Sequence, residues 1–313
     1  MSLTKHKNMN TEFYTFGEIL WDCLPSGRHA GGAPFNVAAH LSQLGAGVSL
    51  ISAVGQDALG DELLQVARDK GIHTDFLSRA HLGLATGTVL VTLDAQSNAT
   101  YELVQPAAWD EIKVTAEVLE AVALSRALIF GSLAVRSAYN FDQLERLLDL
   151  TGPLKFFDVN LRPPFADPAL VISLAKRADV IKLNDDEVGQ LASWVKTGEM
   201  IQNTPRSEEA LADDCALLAE ATETARLCVT RAAEGASFWD RGKILSVPAP
   251  HSVVKDTVGA GDAFMAGLVA GLTRGWETRT VLQTACRLGA YVASHDGATP
   301  LLPLELVQEF RAD

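Results

Sequence analysis

The chain has 313 residues, 48% of them hydrophobic and 21% charged, enough apolar material for a large core in one big domain or two small ones. Lys and Arg number 26 against 39 Asp and Glu, a net charge of −13, which excludes nucleic-acid binding through clustered basic residues but leaves room for a local phosphate site. Four scattered cysteines form no CxxC pair, no apolar run reaches the roughly 18 residues of a membrane helix, and the opening MSLTKHKNMN is polar; these features predict a cytoplasmic protein with reduced cysteines, no membrane partner and a disordered tail over residues 1–10.

From Phe13 onward, short apolar runs alternate with amphipathic stretches. Phe13–Phe16 reads as a first strand, followed by Gly17-Glu18-Ile19-Leu20-Trp21-Asp22 and Gly31-Gly32-Ala33-Pro34-Phe35-Asn36. Gly31 and Gly32 admit a ligand close to the backbone, Asn36 can donate and accept, and Asp22 offers two acceptors to paired hydroxyls. Equally, GGAPFN alone reads as a turn before a helix with Asn36 a satisfied polar residue. Val48–Ala53 is the next strand and Asp61–Lys70 a helix. The rhythm then breaks. Gly87–Leu93 and Thr100–Val104 are β-rich runs joined by a polar turn, a hairpin that predicts a lid with strands from about 17–30 and 86–106. Tyr101 and Gln105 on it either contact a ligand or pack locally.

Strand-like runs resume at Ala127–Gly131, Lys155–Asp158, Val180–Leu183 and Leu227–Thr230, with helical patterns at Phe141–Leu150 and Pro168–Ala178. The alternation predicts an α/β fold, a mostly parallel sheet with helices on both faces, in a single domain over 11–313. Asp158-Val159-Asn160-Leu161-Arg162 ends one strand, where such folds place ligands. Arg162 offers a planar fork suited to phosphate oxygens, although a surface charge is the commoner fate of an arginine. Asn184-Asp185-Asp186-Glu187 opens a helix, where acids complement the helix dipole. Lys196–Ser207 reads as a surface loop, and Ser237–Trp239 with Lys243–Val247 as a second hairpin.

Asp256-Thr257-Val258-Gly259-Ala260-Gly261-Asp262-Ala263-Phe264 precedes a small-residue helix expected over Ala263–Leu272. Gly259 and Gly261 allow a tight turn whose N–H groups converge, and the helix N-terminus adds about half a positive charge, so an anion is stabilised there. Asp262 stands at its mouth, either as a base for an attacking hydroxyl or as an N-cap worth about 1 kcal/mol. Spacing alone leaves both open.

DTVGAGDAF is similar to the D-T-x-G-A-G-D motif of the ribokinase-like (PfkB) carbohydrate kinases, and GGAPFNVA, followed by Gly45 and Gly55, resembles their N-terminal motif. The resemblance runs from about Phe13 to Pro303. It implies ATP-dependent phosphorylation of a sugar hydroxyl, with Asp262 as general base, Gly259, Ala260 and Gly261 as anion hole, and Arg162 near the transferred phosphate. It implies sugar contacts from Asp22, Gly31, Gly32, Asn36, Gln105, Arg162 and Asp262. Thr230-Arg231-Ala232-Ala233-Glu234-Gly235 resembles the family's T-x-G-x-x-G nucleotide loop, with Ala232 in place of the first glycine. Asn184, Thr230, Ala232, Gly235, Gly259 and Gly261 are the implied nucleotide contacts. Glu187 of the N-x-x-E motif is implied to hold Mg2+ through water, and Asp256 with the 294–301 loop corresponds to a K+ site that the sequence neither supports nor refutes. GEILWDCLP, GGAPFN and DVNLRP look most like fructokinases, which makes fructose to fructose 6-phosphate the expected reaction. 2-Keto-3-deoxygluconate kinase and ribokinase are the alternatives within the family, and a catalytically inactive sugar-sensing regulator the alternative outside it. A homodimer through the lid is a further expectation. Neither G-x-G-x-x-G after the first strand nor a Walker loop is present, which argues against a nicotinamide-dependent enzyme and a P-loop kinase.

Overall fold

The computed structural model describes residues 11–24, 27–81, 83–93, 99–199 and 206–310. The expected N-terminal tail, the tip of the first hairpin and residues 200–205 of the Lys196–Ser207 loop lie outside these residues. The strands are β1 (Phe13–Phe16), β2 (Leu20–Leu24), β3 (Gly27–Gly31), β4 (Val48–Val54), β5 (Leu77–Arg79), β6 (Thr88–Leu93), β7 (Ala99–Leu103), β8 (Ala127–Gly131), β9 (Leu154–Asp158), β10 (Val180–Asn184), β11 (Arg226–Thr230), β12 (Ala236–Asp240) and β13 (Lys243–Val247). The helices are α1 (Ala33–Gln43), α2 (Ala58–Asp69), α3 (Ala116–Ala123), α4 (Ala138–Leu148), α5 (Pro168–Ala175), α6 (Asp185–Lys196), α7 (Glu208–Thr222), α8 (Ala260–Thr273), α9 (Thr278–Ala293) and α10 (Leu304–Glu309).

Among the described residues the large sheet has the order β13-β12-β11-β10-β9-β8-β1-β4-β5. From β11 to β5 every neighbouring pair is parallel; the β12–β13 hairpin adds the antiparallel edge. The fold is α/β with a mostly parallel sheet, as expected. The chain leaves β1 toward β4 and β5 on one side, then returns to β8 and steps outward to β11 on the other. Strand order therefore reverses between β1 and β8, where the carboxyl ends of an α/β sheet open a crevice.

Side chains alternate across this sheet. Phe13, Leu50, Ile129, Phe156, Val180 and Cys228 join the core under α1, α2, α8 and α9. Tyr14, Ile51, Phe130, Phe157, Ile181 and Val229 join the core under α3–α7. With both faces covered, the strands read as unbroken apolar runs.

A second sheet has the order β3-β2-β6-β7, with β2–β3 and β6–β7 antiparallel and β2–β6 parallel. Its roots converge on one buried ion pair. Gly87, just before β6, packs so closely on the Trp109 indole that a Cβ there would collide with it. The Arg136 guanidinium lies 3.8 Å over the Trp109 ring and donates to both carboxylate oxygens of Asp110 at 2.9 Å. The two side chains are 5% and 12% exposed. Arg136 follows β8, so this pair ties the second sheet to the main one.

Removing one partner of a buried pair leaves the other charge uncompensated. Arg136→Met is expected to lower the unfolding free energy by about 3–5 kcal/mol in urea titrations, and Arg136→Met with Asp110→Asn by clearly less.

Candidate active site

The turn before α8 is held in shape by Asp256. Its carboxylate accepts the N–H of Val258 at 3.0 Å and of Gly297 at 3.2 Å, while the Lys255 and Asp256 N–H groups donate to the Ala293 carbonyl. Gly259 takes a positive φ of 78°, and the Ala298 backbone occupies the place a Cβ would need. Ala298 is held in turn by His40, whose Nε2 bonds its carbonyl at 3.0 Å. Burial keeps this imidazole neutral, with a pKa pushed down to about 4.

The helix starts earlier than expected, at Ala260, with Gly259 as N-cap. The left-handed glycine closes the turn so tightly that Ala260 and Gly261 are already helix. Asp262 is therefore a first-turn residue and not the N-cap. Among the described residues, the N–H groups of Gly259, Gly261 and Asp262 donate to no protein acceptor. Such first-turn donors form an anion site when they face open space.

The Asp262 carboxylate reaches across to α1, where Oδ2 accepts from Asn36 Nδ2 at 2.8 Å. Burial and the Asp158 charge push its pKa up, Asn36, Lys182 and Arg162 pull it down, and it stands at about 6. Asn36 is buried, and its Oδ1 has no partner. α1 begins at Gly32, whose φ of 107° and close approach to the Glu18 carbonyl exclude a side chain. Gly31 lies directly against the Asp22 carboxylate. Burial raises the Asp22 pKa, against His29 and Arg162. Arg162 is exposed and its Nη1 touches its neighbour's carbonyl, that of Leu161, at 3.3 Å. Its charge lowers the pKa of Glu18, Asp22 and Asp262 alike, so it faces the carboxylates. Gln105 is exposed beyond β7, and none of the bonds joining these residues reaches it.

Asn184 and Glu187 are first of all bonded to the backbone. They form a capping box at the start of α6, each side chain accepting the other's N–H at 2.8 Å. The other Glu187 oxygen accepts from Leu161 N–H at 2.8 Å and holds the Arg162 loop. Both oxygens are thus engaged, each with a lone pair left. That fits a hydrated Mg2+ met through water, not direct ligation. Among the described residues no three Asp, Glu, His or Cys side chains gather as a metal cage.

Thr230 ends β11 and donates to the Leu183 carbonyl at 3.3 Å. The loop beyond closes on itself through Arg231 N–H to Gly235 O at 2.8 Å and Gly235 N–H to Ala232 O at 3.1 Å. Ala232 has φ 45°, a left-handed backbone that glycine adopts more readily than alanine.

A profile described as pfkB family carbohydrate kinase matches residues 10–304. The chain belongs to the PfkB family of carbohydrate kinases. A fructokinase from Escherichia coli is 30% identical over 94% of this chain and 97% of its own length. The structure of a fructokinase with bound ATP from Xylella fastidiosa matches with a TM-score of 0.79 at 23% identity, covering 96% of this chain and 98% of that one. A double mutant of a fructokinase from Vibrio cholerae, in its fructose, ADP and potassium ion bound form, matches with a TM-score of 0.76 at 22% identity over 96% and 98%.

Two buried residues of this PfkB kinase escaped the sequence reading. Glu18 is 4% exposed, accepts the Ala33 N–H at 3.1 Å, and is pushed by burial to a pKa of about 7. It lines a small cavity at the β1–β8 reversal with Ser132, Asp158 and Asn160. Lys182 lies in β10 and donates to both oxygens of Asp158. A lysine inside the apolar run VIKLN was the available signal, since a strand covered on both faces must supply it with a counter-charge.

A positive φ strains any residue with a Cβ. Ala232→Gly should raise the unfolding free energy by up to about 1 kcal/mol, the relief being partly offset by a freer unfolded chain. A fall in the denaturation midpoint would show that Ala232 is not held at positive φ in solution.

Proposed function

We propose that this PfkB kinase transfers the γ-phosphate of ATP to a hydroxyl of fructose, giving fructose 6-phosphate, with Asp262 as the general base. One observation carries the reading: a carboxylate fixed by Asn36 stands on the same helical turn as N–H groups with no protein acceptor. A hydroxyl and a phosphate can meet at that point. The fructokinase from Escherichia coli at 30% identity supports the sugar, and the ATP-bound Xylella fastidiosa fructokinase supports the nucleotide.

Asp22 and the unpartnered Asn36 Oδ1 accept from sugar hydroxyls, while Gly31 and Gly32 leave space beside the backbone. Asp262 takes the proton of the attacking hydroxyl as the bond to phosphorus forms. The first-turn N–H groups and Arg162 balance charge on the phosphoryl oxygens. Thr230, Ala232 and Gly235 border the nucleotide. When bound, Mg2+ neutralises charge on the nucleotide phosphates, met through water by Glu187 and Asn184. Asp256 is the side chain that would face a K+ ion, and the potassium in the Vibrio cholerae fructokinase supports that reading. The second sheet acts as the lid, closing over the sugar to exclude water. It exposes Leu90 and Val104 on one face, the one through which two copies would pair. The setting is cytoplasmic.

Asp262 sets both the acid limb and a stability cost. Below about pH 6 it is protonated and activity should fall. Its folded pKa lies above the ordinary 3.8, so the folded state binds the proton more tightly, and the stability gained this way at low pH is lost as pH rises through about 6. Asp262→Asn is expected to lose about 10²–10⁴-fold in kcat. At pH 8 it should also gain about 1–2 kcal/mol in unfolding free energy. An Asn variant that kept more than about a tenth of the turnover would rule out the base. ADP release measured over fructose, 2-keto-3-deoxygluconate and ribose should give the highest kcat/KM for fructose. A higher value for 2-keto-3-deoxygluconate would move the assignment to the keto acid, and no release with any sugar would favour a sensor.

A further inference from the structure

Asp158 and Lys182 are register partners on β9 and β10. They lie on the same face as Phe156 and Val180, which pack in the core beneath α8. Lys182 Nζ donates to the two oxygens of Asp158 at 2.9 and 3.1 Å, and both side chains are under a tenth exposed. A Cβ on Gly261 would stand only 3.2 Å from that nitrogen. The ammonium therefore rises directly under the turn that carries Asp262, and the glycine leaves room for it.

The surrounding charge is one-sided. Glu18, Asp158, Glu187 and Asp262 are carboxylates of this region, Arg162 faces them from the exposed side, and Lys182 faces them from within. Burial disfavours the Lys182 charge, but Asp158 first, then Glu187 and Asp262, hold it, and its pKa lies above that of an ordinary lysine. A buried ion pair contributes little to stability that a well-packed apolar pair would not. Its position under the transfer turn supplies another role.

We propose that Lys182, anchored by Asp158, is a positioning residue for the transfer: its charge keeps Asp262 ionised, and its bulk supports the Gly259–Gly261 turn from below. The proposal rests on Asp262 being the base. The groups facing Asp262 are Asp158 on β9, Lys182 on β10, Arg162 beyond β9, Glu18 beyond β1 and the neutral Asn36 on α1. Asp158 raises the Asp262 pKa and Lys182 lowers it, so the pair's two members act in opposite senses.

The test is the pH profile of kcat/KM for the best sugar at saturating ATP, with thermal melts to verify folding. Lys182→Met should move the midpoint of the acid limb up by about one pH unit. Lys182→Met with Asp158→Asn removes both charges and should return the midpoint most of the way to wild type. Lys182→Arg, which keeps the charge, should restore it. Should Lys182→Met fail to fold, Lys182→Gln takes its place, since it keeps a donor for Asp158. An unmoved midpoint in the neutral variant, or a double variant shifted as far as the single one, overturns the proposal. Failure of the base reading is seen separately, as retained turnover in Asp262→Asn.

Discussion

A buried carboxylate on the first turn of a helix is the constraint on which the rest depends. The N–H groups of that turn attract an anion, and the Asp262 carboxylate is itself an anion that could satisfy them. Asn36 prevents this by drawing Oδ2 across to α1. One hydrogen bond between side chains thus keeps a proton acceptor and an anion site adjacent yet separate. The glycine cap, the Asp256 clamp and the His40–Ala298 contact fix the backbone on which that arrangement stands.

The site pays for this in stability. Glu18, Asp158, Glu187 and Asp262 are crowded at the carboxyl ends of the strands, and burial raises the pKa of Glu18, Glu187 and Asp262. A sequence selected for stability alone would not place them there. The two apolar cores on either side of the sheet hold the strand ends in register and so tolerate the crowding.

Much of this was legible in the sequence, for physical reasons that also mark where it stopped. Except for the three-residue edge strand β5, which no apolar run announced, the strands of the large sheet were readable to within about a residue at each end, because a sheet covered on both faces writes itself as apolar runs between polar turns. That same continuity concealed Lys182, since without alternation one charge among Val180, Ile181 and Leu183 has no obvious face. The start of α8 was misread because a Gly-Ala-Gly stretch looks like loop until a left-handed cap turns it into helix. Glu187 stood out for its motif, while its bonds to the backbone of Leu161 and Asn184 join segments that no local pattern connects. The parallel pairing of β2 with β6 was likewise unreadable, because it links strands separated by the whole of α1 and α2.

The Asn36–Asp262 bond spans 226 positions of the chain. A ribosome delivers Asn36 long before Asp262, which follows every strand of the large sheet. Nascent chains fold from the N-terminus, so a partly made molecule can hold a recognisable sheet before the turn that carries Asp262 exists. The Asn36–Asp262 bond, and with it the proposed base, is in place only once α8 docks on α1. A chain stopped short of α8 would keep every strand of the large sheet and lack the proposed base.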